Sequence, residues 1–498
     1  MVLHYANHSK FGPNLATAMW KDGCGWNHRR RTTFFWFRIK CLFLVVLAYL
    51  AVVRICDVMN SPKETEVPLD TARRQLALPS RVGRILNSAV NGTEARDPIA
   101  VLIFCATRAA AIENHLSQVV KQRPSPDLFP IYVSQDGNKQ DVAEVVRKYM
   151  RDFKNIHFIQ HQSSSVGQKG KAYHNIAAHY KWALDSVLAN FSAAIITEDD
   201  LDIAEDFFSY FEATRKLLDA DPTIWCISAW NDNGGNRLVD NNKPDLLYRT
   251  DFFPGLGWMI KANVWEELTQ KWPAAYWDDF MRTPEARKNR VCIRPEVSRT
   301  RHNNRLAGKG SSNGQYKSFL ERIAVPKSPV DFSLIDMSRL IRSNYDPEFR
   351  SKILQAKPIS IEELLSDNKL DPQFAYRISF KDPREFRKFA NPLTLMNDVR
   401  GGLIRTIYQG VLTFVHKGAR IYAVMASVDL QKPFEEKVPD RDVYDVKWDK
   451  MSRFLDFESV ICKKYSGKCD PYSAEMIEWI KKKHWTKKVA NYGEMIVF

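Results

Sequence analysis

At 498 residues and 45% apolar composition, the chain is long enough for one large domain with appendages or for two domains, and too apolar to be disordered throughout. A formal net charge of +15 raises nucleic acid or an anionic membrane as partners. No zinc-ligand spacing, helix-turn-helix signal or RNA-binding signature accompanies that charge, so it reads as a solvated basic surface and no nucleic-acid partner is expected.

In chain order, the first feature is "CLFLVVLAYLAVV", an uninterrupted apolar run from Cys41 to Val53. Arg29, Arg30, Arg31, Arg38 and Lys40 precede it. The run is short for a span, but "TTFFWF" upstream and Ile55 downstream extend it, and Arg38 and Lys40 can snorkel. A cleaved signal peptide is the alternative; the run begins far from the N-terminus and no clear small-residue cleavage site follows. The expectation is a signal anchor over residues 39–55. The first forty residues hold seven Lys or Arg against one Asp, so residues 1–38 form a cytosolic tail and the rest faces a lumen or the exterior. In that compartment disulfides form and the acceptor triplets at Asn91 and Asn190 are accessible to glycosylation.

Of eight cysteines, Cys24, Cys41 and Cys56 lie before, in or beside the anchor. Cys105, Cys226, Cys292, Cys462 and Cys469 remain, an odd number, so at least one is free or paired between chains.

Residues 56–97, with Pro, charge and no sustained period, read as a stem. From "PIAVLIFCATR" onward, apolar strand-like runs alternate with helical stretches. "AAIENHLSQVVKQ", "DVAEVVRKYM" and "YHNIAAHYKWALDSVLA" are predicted helices; "FPIYVSQDG", "NIHFIQH" and "AAIITEDD" are predicted strands. This β-α alternation predicts an α/β, doubly wound, mostly parallel sheet over residues 98–325, with ligands beyond the carboxyl ends of the strands. Arg108, Asp136 and the trio Glu198, Asp199, Asp200 each follow a predicted strand and therefore converge. The missing GxGxxG and GxxxxGK[ST] argue against dinucleotide-binding and P-loop domains. Residues 326–426, with strand-like runs joined around Gly418, read as a smaller α+β lobe. Residues 427–498 read as a basic C-terminal extension, solvated by default.

Three adjacent carboxylates repel one another unless a cation neutralises them. Hard oxygen ligands favour Mg2+ or Mn2+, with coordination positions left for substrate phosphates. A helix N-cap with an acidic first turn explains the same residues. Arg108 suits a phosphate or base edge, and Asp136 a base or ribose. His179 on its helix reads more simply as a packed or surface residue. "YRTDFFPGLGWMI" suggests an aromatic platform for sugars, with Gly255 and Gly257 allowing close backbone approach. In "WPAAYWDDFMR", Asp278 near aromatic walls is a candidate general base, although an Asp-Asp pair also suits a helix N-cap.

The series "LFPIYVSQDG", "HYKWAL", "EDDLDIAEDFF", "WCISAWNDNG", "LLYRTDFFPGLGWM", "KWPAAYWDDFMR" and "CIRPEVSRT" resembles the N-acetylglucosaminyltransferase I family from about Ile99 to Tyr422. The resemblance implies a GT-A glycosyltransferase fold, a single-pass type II Golgi membrane protein, Mn2+ dependence, and inverting transfer of GlcNAc from UDP-GlcNAc to the α1,3-linked mannose of an N-glycan. By motif position it implies Asp200 as metal ligand and Asp278 as catalytic base. Arg108, Asp136, His179, Glu198 and Asp199 match donor-contacting residues, and Ser312 in "GKGSSNGQY" matches a serine on a loop over the donor. Cys226 and Cys292 match a family disulfide. A related transferase acting on O-linked mannose and a non-catalytic lectin-like member of the fold are the alternatives. Two departures stand out: "CATR" replaces the family's Cys-Asp-Arg with an insertion and no acid, and Gly137 replaces a family cysteine, which leaves Cys105 unpaired. Cys462 and Cys469 lie beyond the resemblance, where they are candidates to close a small loop.

Overall fold

A computed structural model describes residues 97–163, 172–307, 316–434, 446–489 and 492. The expected tail, anchor and nearly all of the stem, together with Asn91 and Ser312, lie outside the described residues. No helix among the described residues is long and apolar enough to cross a membrane.

Four parallel strands carry the N-terminal half: β1 (Ala100–Cys105), β2 (Ile131–Asp136), β3 (Ile156–His161) and β4 (Ala193–Glu198). Helices α1 (Ala109–Gln122), α2 (Gln140–Asp152) and α3 (Ala172–Leu188) connect them. Every residue of β1 is buried, and period-2 alternation divides them between two cores. Val101, Ile103 and Cys105 join Ile112 and Leu116 of α1 and Val142 and Val146 of α2. Ala100, Leu102 and Phe104 join Tyr180, Ala183 and Leu184 of α3. The sheet is thus covered on both faces, as the apolar runs predict.

Five strands follow: β5 (Leu201–Ile203), β6 (Ile224–Ser228), β7 (Leu247–Thr250), β8 (Trp258–Lys261) and β9 (Val291–Pro295); a sixth, β10 (Thr300–His302), lies farther on. The main sheet runs β3-β2-β1-β4-β8-β6-β9-β7, with β5 and β10 forming a separate ribbon. β8 is antiparallel to both β4 and β6, so β6 points the same way as β4 and their carboxyl ends share one edge. Cys226 of β6 faces Cys292 of β9 in register and the two are bonded, Cα to Cα 4.6 Å. Cys105 is buried and free.

The chain then builds a second sheet from β11 (Lys357–Pro358), β12 (Tyr376–Phe380), β15 (Val411–His416) and β16 (Ala419–Met425), ordered β11-β12-β16-β15. The hairpin of β13 (Val399–Arg400) and β14 (Leu403–Ile404) lies between. Lys417 and Gly418 both take positive φ, 51° and 82°, the geometry a two-residue hairpin turn requires. This lobe shares its core with the body through Leu238 and Phe252.

The C-terminal extension departs from the expected solvated tail. Helices Val446–Val460, Ala474–Lys482 and Thr486–Val489 enclose Phe457, Ile461, Met476, Ile480 and Val489, and Cys462 bonds Cys469. Each helix gives only one or two residues to this core, and they stand among lysines, so composition conceals them.

The aromatic-platform expectation for "YRTDFFPGLGWMI" is corrected. Phe252, Phe253 and Trp258 are fully buried and pack as core. Gly257 takes φ +94°, and a Cβ there would stand 2.6 Å from Thr300 Cγ2. The close approach that needs glycine is to β10, not to a ligand.

Candidate active site

The switch point of the sheet lies between β1 and β4, because β1 feeds β2 on one side while β3 crosses over to β4 on the other. Such a point opens a crevice at the carboxyl ends of the strands. Arg108 caps α1 after β1. Glu198 ends β4, and the chain turns at Asp199 and Asp200 before β5. The two-residue step Ala106-Thr107 still brings Arg108 onto the acids: Nη1 donates to Asp200 Oδ2 at 2.9 Å and Nη2 donates to Asp199 Oδ1.

The turn is held from below. Asp199 N–H donates to Phe104 O at 2.9 Å and Asn303 N–H to Asp200 O at 2.7 Å. Two neighbouring acids of "EDDLDIAEDFF", Asp202 and Asp206, are structural. Asp202 accepts from Asn114 and Gln118 of α1, and Asp206 pairs with buried Arg299.

The trio divides electrostatically. Burial, reinforced by Asp200, pushes the Glu198 carboxyl up to about 7, and burial pushes Asp199 up to about 6 against the pull of Arg108. Asp200 is also buried, but the His302 imidazole 3.6 Å away and the Arg108 guanidinium outweigh that and hold it below the ordinary carboxylate range. Asp200 is therefore the most acidic of the three. Glu198 Oε1 accepts from Tyr180 Oη at 2.7 Å.

Asp136, at the end of β2, accepts from His161 Nδ1 at 2.9 Å and from Ser163 Oγ at 2.8 Å. His179 is buried, its Nε2 2.7 Å from Ser134 Oγ, and its ring stacks on His161 at 5.4 Å. Burial drives its pKa down to about 4, so it is neutral. These residues share the edge with the trio without a direct bond to it, and His179 sits behind Asp136 as a packed residue.

Asp278 lies on the short helix Trp277–Met281. Trp277 stacks on Tyr180 at 4.2 Å and on Trp258 at 5.9 Å. Trp258 opens β8 opposite Ile196 and Ser228, which fixes the helix at the same sheet edge. The Asp278 side chain is 42% exposed and bonded to Arg282 at 2.8 Å. Desolvation opposes its ionisation, yet Arg282, Arg405 and Arg400 together hold it below the ordinary carboxylate range. It is an accessible anion with a hydrogen-bonded orienting partner, which suits a base that receives a hydroxyl proton.

Among the described residues no three His, Cys, Asp or Glu side chains are grouped to enclose a metal ion. The donor set nevertheless fits a hard dication that keeps most positions for phosphate and water. Asp200 is anionic at the crevice, and Asp199 Oδ2 is buried with no hydrogen-bond partner among the described residues, an orphan that a cation would satisfy.

The GNT-I family profile matches residues 70–432. The chain belongs to the GNT-I family. Over 337 residues it is 40% identical to the alpha-1,3-mannosyl-glycoprotein 2-beta-N-acetylglucosaminyltransferase of Arabidopsis thaliana, covering 65% of this chain and 73% of the relative. Among solved structures, a mannosyltransferase of Pyrobaculum calidifontis in complex with GDP-Man and Mn2+ matches at TM-score 0.30 and 20% identity. That match covers 40% of this chain and 55% of the other. Residues 1–349 of S. aureus TarS in complex with UDP match at TM-score 0.29 and 15% identity, over 40% and 58%.

Sequence reasoning about this GNT-I family member missed Tyr180, His302, Asp232 and Arg405. Tyr180 adjoined the flagged His179 and was readable as an aromatic beside a site residue. His302 carries no motif. Asp232 pairs with Arg405 across 173 positions, beyond any local pattern.

Proposed function

We propose that this GNT-I family protein transfers GlcNAc from UDP-GlcNAc to the 2-hydroxyl of the α1,3-linked mannose of an N-glycan, with inversion, starting hybrid and complex N-glycans. The observation that carries the acceptor assignment is the 40% identity to the Arabidopsis relative over 73% of its length. The site supplies both halves of the chemistry. Asp278 takes the proton of the attacking hydroxyl, whose oxygen forms the new bond to C1 of GlcNAc as the C1–O bond to UDP breaks from the opposite face. The electron pair of that bond leaves with the diphosphate.

Asp200 would hold Mn2+, with Asp199 Oδ2 beside it; when bound, Mn2+ supplies neutralising charge for the diphosphate. Arg108 adds a guanidinium at the same place, Glu198 and Asp199 orient the sugar, and Asp136 with His161 and His179 behind it serves the nucleoside. Ser312 is assigned to the loop over the donor. The single-span anchor at 39–55 places residues 98–325, as catalytic domain, with the lobe and extension in the Golgi lumen.

The purified full-length protein, incubated with UDP-GlcNAc and either a Man5 N-glycan or an O-mannosyl peptide, with and without Mn2+, tests the reading. Mn2+-dependent β1,2-GlcNAc on the N-glycan is expected. Transfer to the O-mannosyl peptide alone would overturn the acceptor assignment, and no transfer to either would overturn the activity.

A further inference from the structure

A second cavity opens at the same sheet edge as the proposed donor site. β6 is parallel to β4 through their shared neighbour β8, so "WNDN", which follows β6, leaves the edge beside the acidic turn. Asp232 and Asn233 of this segment line a cavity of about 550 Å³, within the range of ordinary small-molecule sites. Arg237, Arg322, Asn236 and Phe319 complete the wall that matters here.

Asp232 is 4% exposed. Its Oδ1 accepts from Arg405, whereas its Oδ2 is buried with no hydrogen-bond partner among the described residues. An orphaned carboxylate oxygen on a cavity wall costs stability unless a ligand donates to it. Arg237 and Arg322 are exposed and no ion pair among the described residues engages them, so two guanidinium forks face the same space as a half-buried phenyl ring. The cavity also holds Glu321, so its charges balance and it offers no excess of either sign. Donors and acceptors beside an aromatic face, without net charge, match a neutral polyhydroxylated ligand.

The cavity is wired to the proposed base. Arg405 joins Asp232 to Asp398, Arg400 joins Asp398 to Asp279, and Arg282 bonds both Asp279 and Asp278. We propose that this cavity is a neutral-oligosaccharide subsite that holds a second mannose branch of the acceptor glycan while the reacting mannose lies at Asp278. Asp232 Oδ2 accepts a sugar hydroxyl there, and Arg237 and Arg322 donate to neighbouring ones. The assignment rests on the function proposed above.

The test compares kcat/KM for a branched Man5 N-glycan and for a short linear mannoside bearing only the reacting mannose, in the full-length protein and its Arg237→Ala, Arg322→Ala and doubly substituted forms. The wild type is expected to prefer the branched glycan, and the double variant to lose at least tenfold of that preference through a higher KM for the branched glycan. A merely structural role would lower both values together and leave their ratio unchanged. An unchanged ratio alongside wild-type transfer overturns the subsite alone. A wild type that glycosylates neither acceptor overturns the proposed function and the subsite with it.

Discussion

The hydroxyl of Tyr180 donates to Oε1 of Glu198 at 2.7 Å, and the same ring lies 4.2 Å from that of Trp277, the residue before Asp278. Phe104 covers its other face at 3.8 Å. One side chain of α3 therefore spaces the acidic turn after β4 from the helix that carries the proposed base. Stacked rings buried on both sides cannot shift far without opening a void, which makes this spacing rigid.

Replacing Tyr180 separates its two roles. Tyr180→Phe keeps the stack and leaves the Glu198 oxygen without a donor; a loss of about 1–3 kcal/mol is expected, read as lower thermal stability and a severalfold higher donor KM. Tyr180→Ala also frees Trp277, and a misplaced base costs on the order of a hundredfold in kcat. Steady-state kinetics of both variants check this. A phenylalanine variant as poor in kcat as the alanine variant would remove the spacer role.

Asp278→Asn should abolish transfer, with kcat down by roughly 10²–10⁴ for a lost general base, while Mn2+-dependent UDP binding by calorimetry stays close to wild type. Equal loss of both would take Asp278 out of the base role. Because three arginines hold its carboxyl low, protonation should inactivate the enzyme only below the ordinary carboxylate range. Removing one cation raises that pKa, so Arg282→Gln should move the acid limb of the pH profile upward.

How much of this was legible in advance follows from the range of the forces involved. The runs that became β1 to β4 and α1 to α3 declare themselves through local periodicity, and each strand end delivers its polar residue to one edge, which placed Arg108, Asp136 and the trio together. What bound them to their surroundings was not local. Tyr180 meets Trp277 only because α3 and the helix at 277–281 pack on one face of the sheet, and His302 meets Asp200 only because β10 pairs with β5. The glycines of "GLGW" were read as a close approach to a ligand; only Gly257 makes a close approach, and its neighbour is Thr300, a residue that sequence could not place there.

Asp200→Asn removes the most acidic member of the trio with little change in shape. If Asp200 holds the cation, UDP affinity in the presence of Mn2+ should fall at least tenfold toward the value measured with a chelator, and the variant should no longer respond to added metal. Titration calorimetry with and without Mn2+ checks this. A variant that keeps its full metal response would move the ligand role to Asp199.

Mild acidification should draw stability from two buried histidines, against the opposite contribution of Glu198 and Asp199, whose carboxyls burial pushes up to about 7 and about 6 so that the native chain takes up their protons first. Burial drives both His115 and His179 down to about 4 from an unfolded value near 6.5. At these two positions the unfolded chain takes up protons that the native chain refuses, so the histidine contribution is full above pH 6.5 and declines as pH falls from there toward 4. At 1.36 kcal/mol per pKa unit the ceiling is on the order of 3 kcal/mol for each histidine. Melting temperatures of the wild type and His179→Gln between pH 7.5 and 4.5 isolate the histidine share, and the variant should lose less stability, or gain more, on acidification. An unchanged slope would show that His179 does not contribute.

The two disulfides should differ in reach. Cys226 and Cys292 close a separation of 66 residues between adjacent buried strands of the main sheet, for which chain entropy gives about 4 kcal/mol. Cys462 and Cys469 close a separation of 7 residues within the C-terminal helices, for which the same relation gives about 2 kcal/mol. Cys226→Ala with Cys292→Ala should therefore lower the melting temperature of the whole body and take activity with it at elevated temperature. Cys462→Ala with Cys469→Ala should leave kcat and both KM values near wild type and speed amide exchange only within 446–489, where Phe457, Ile461, Met476, Ile480 and Val489 form a core of their own. Faster exchange spreading into β12 and β16 would mean that the extension supports the lobe beneath it, through Arg387 to Asp456 at 3.0 Å and Trp448 against Phe380, rather than folding as an independent cap.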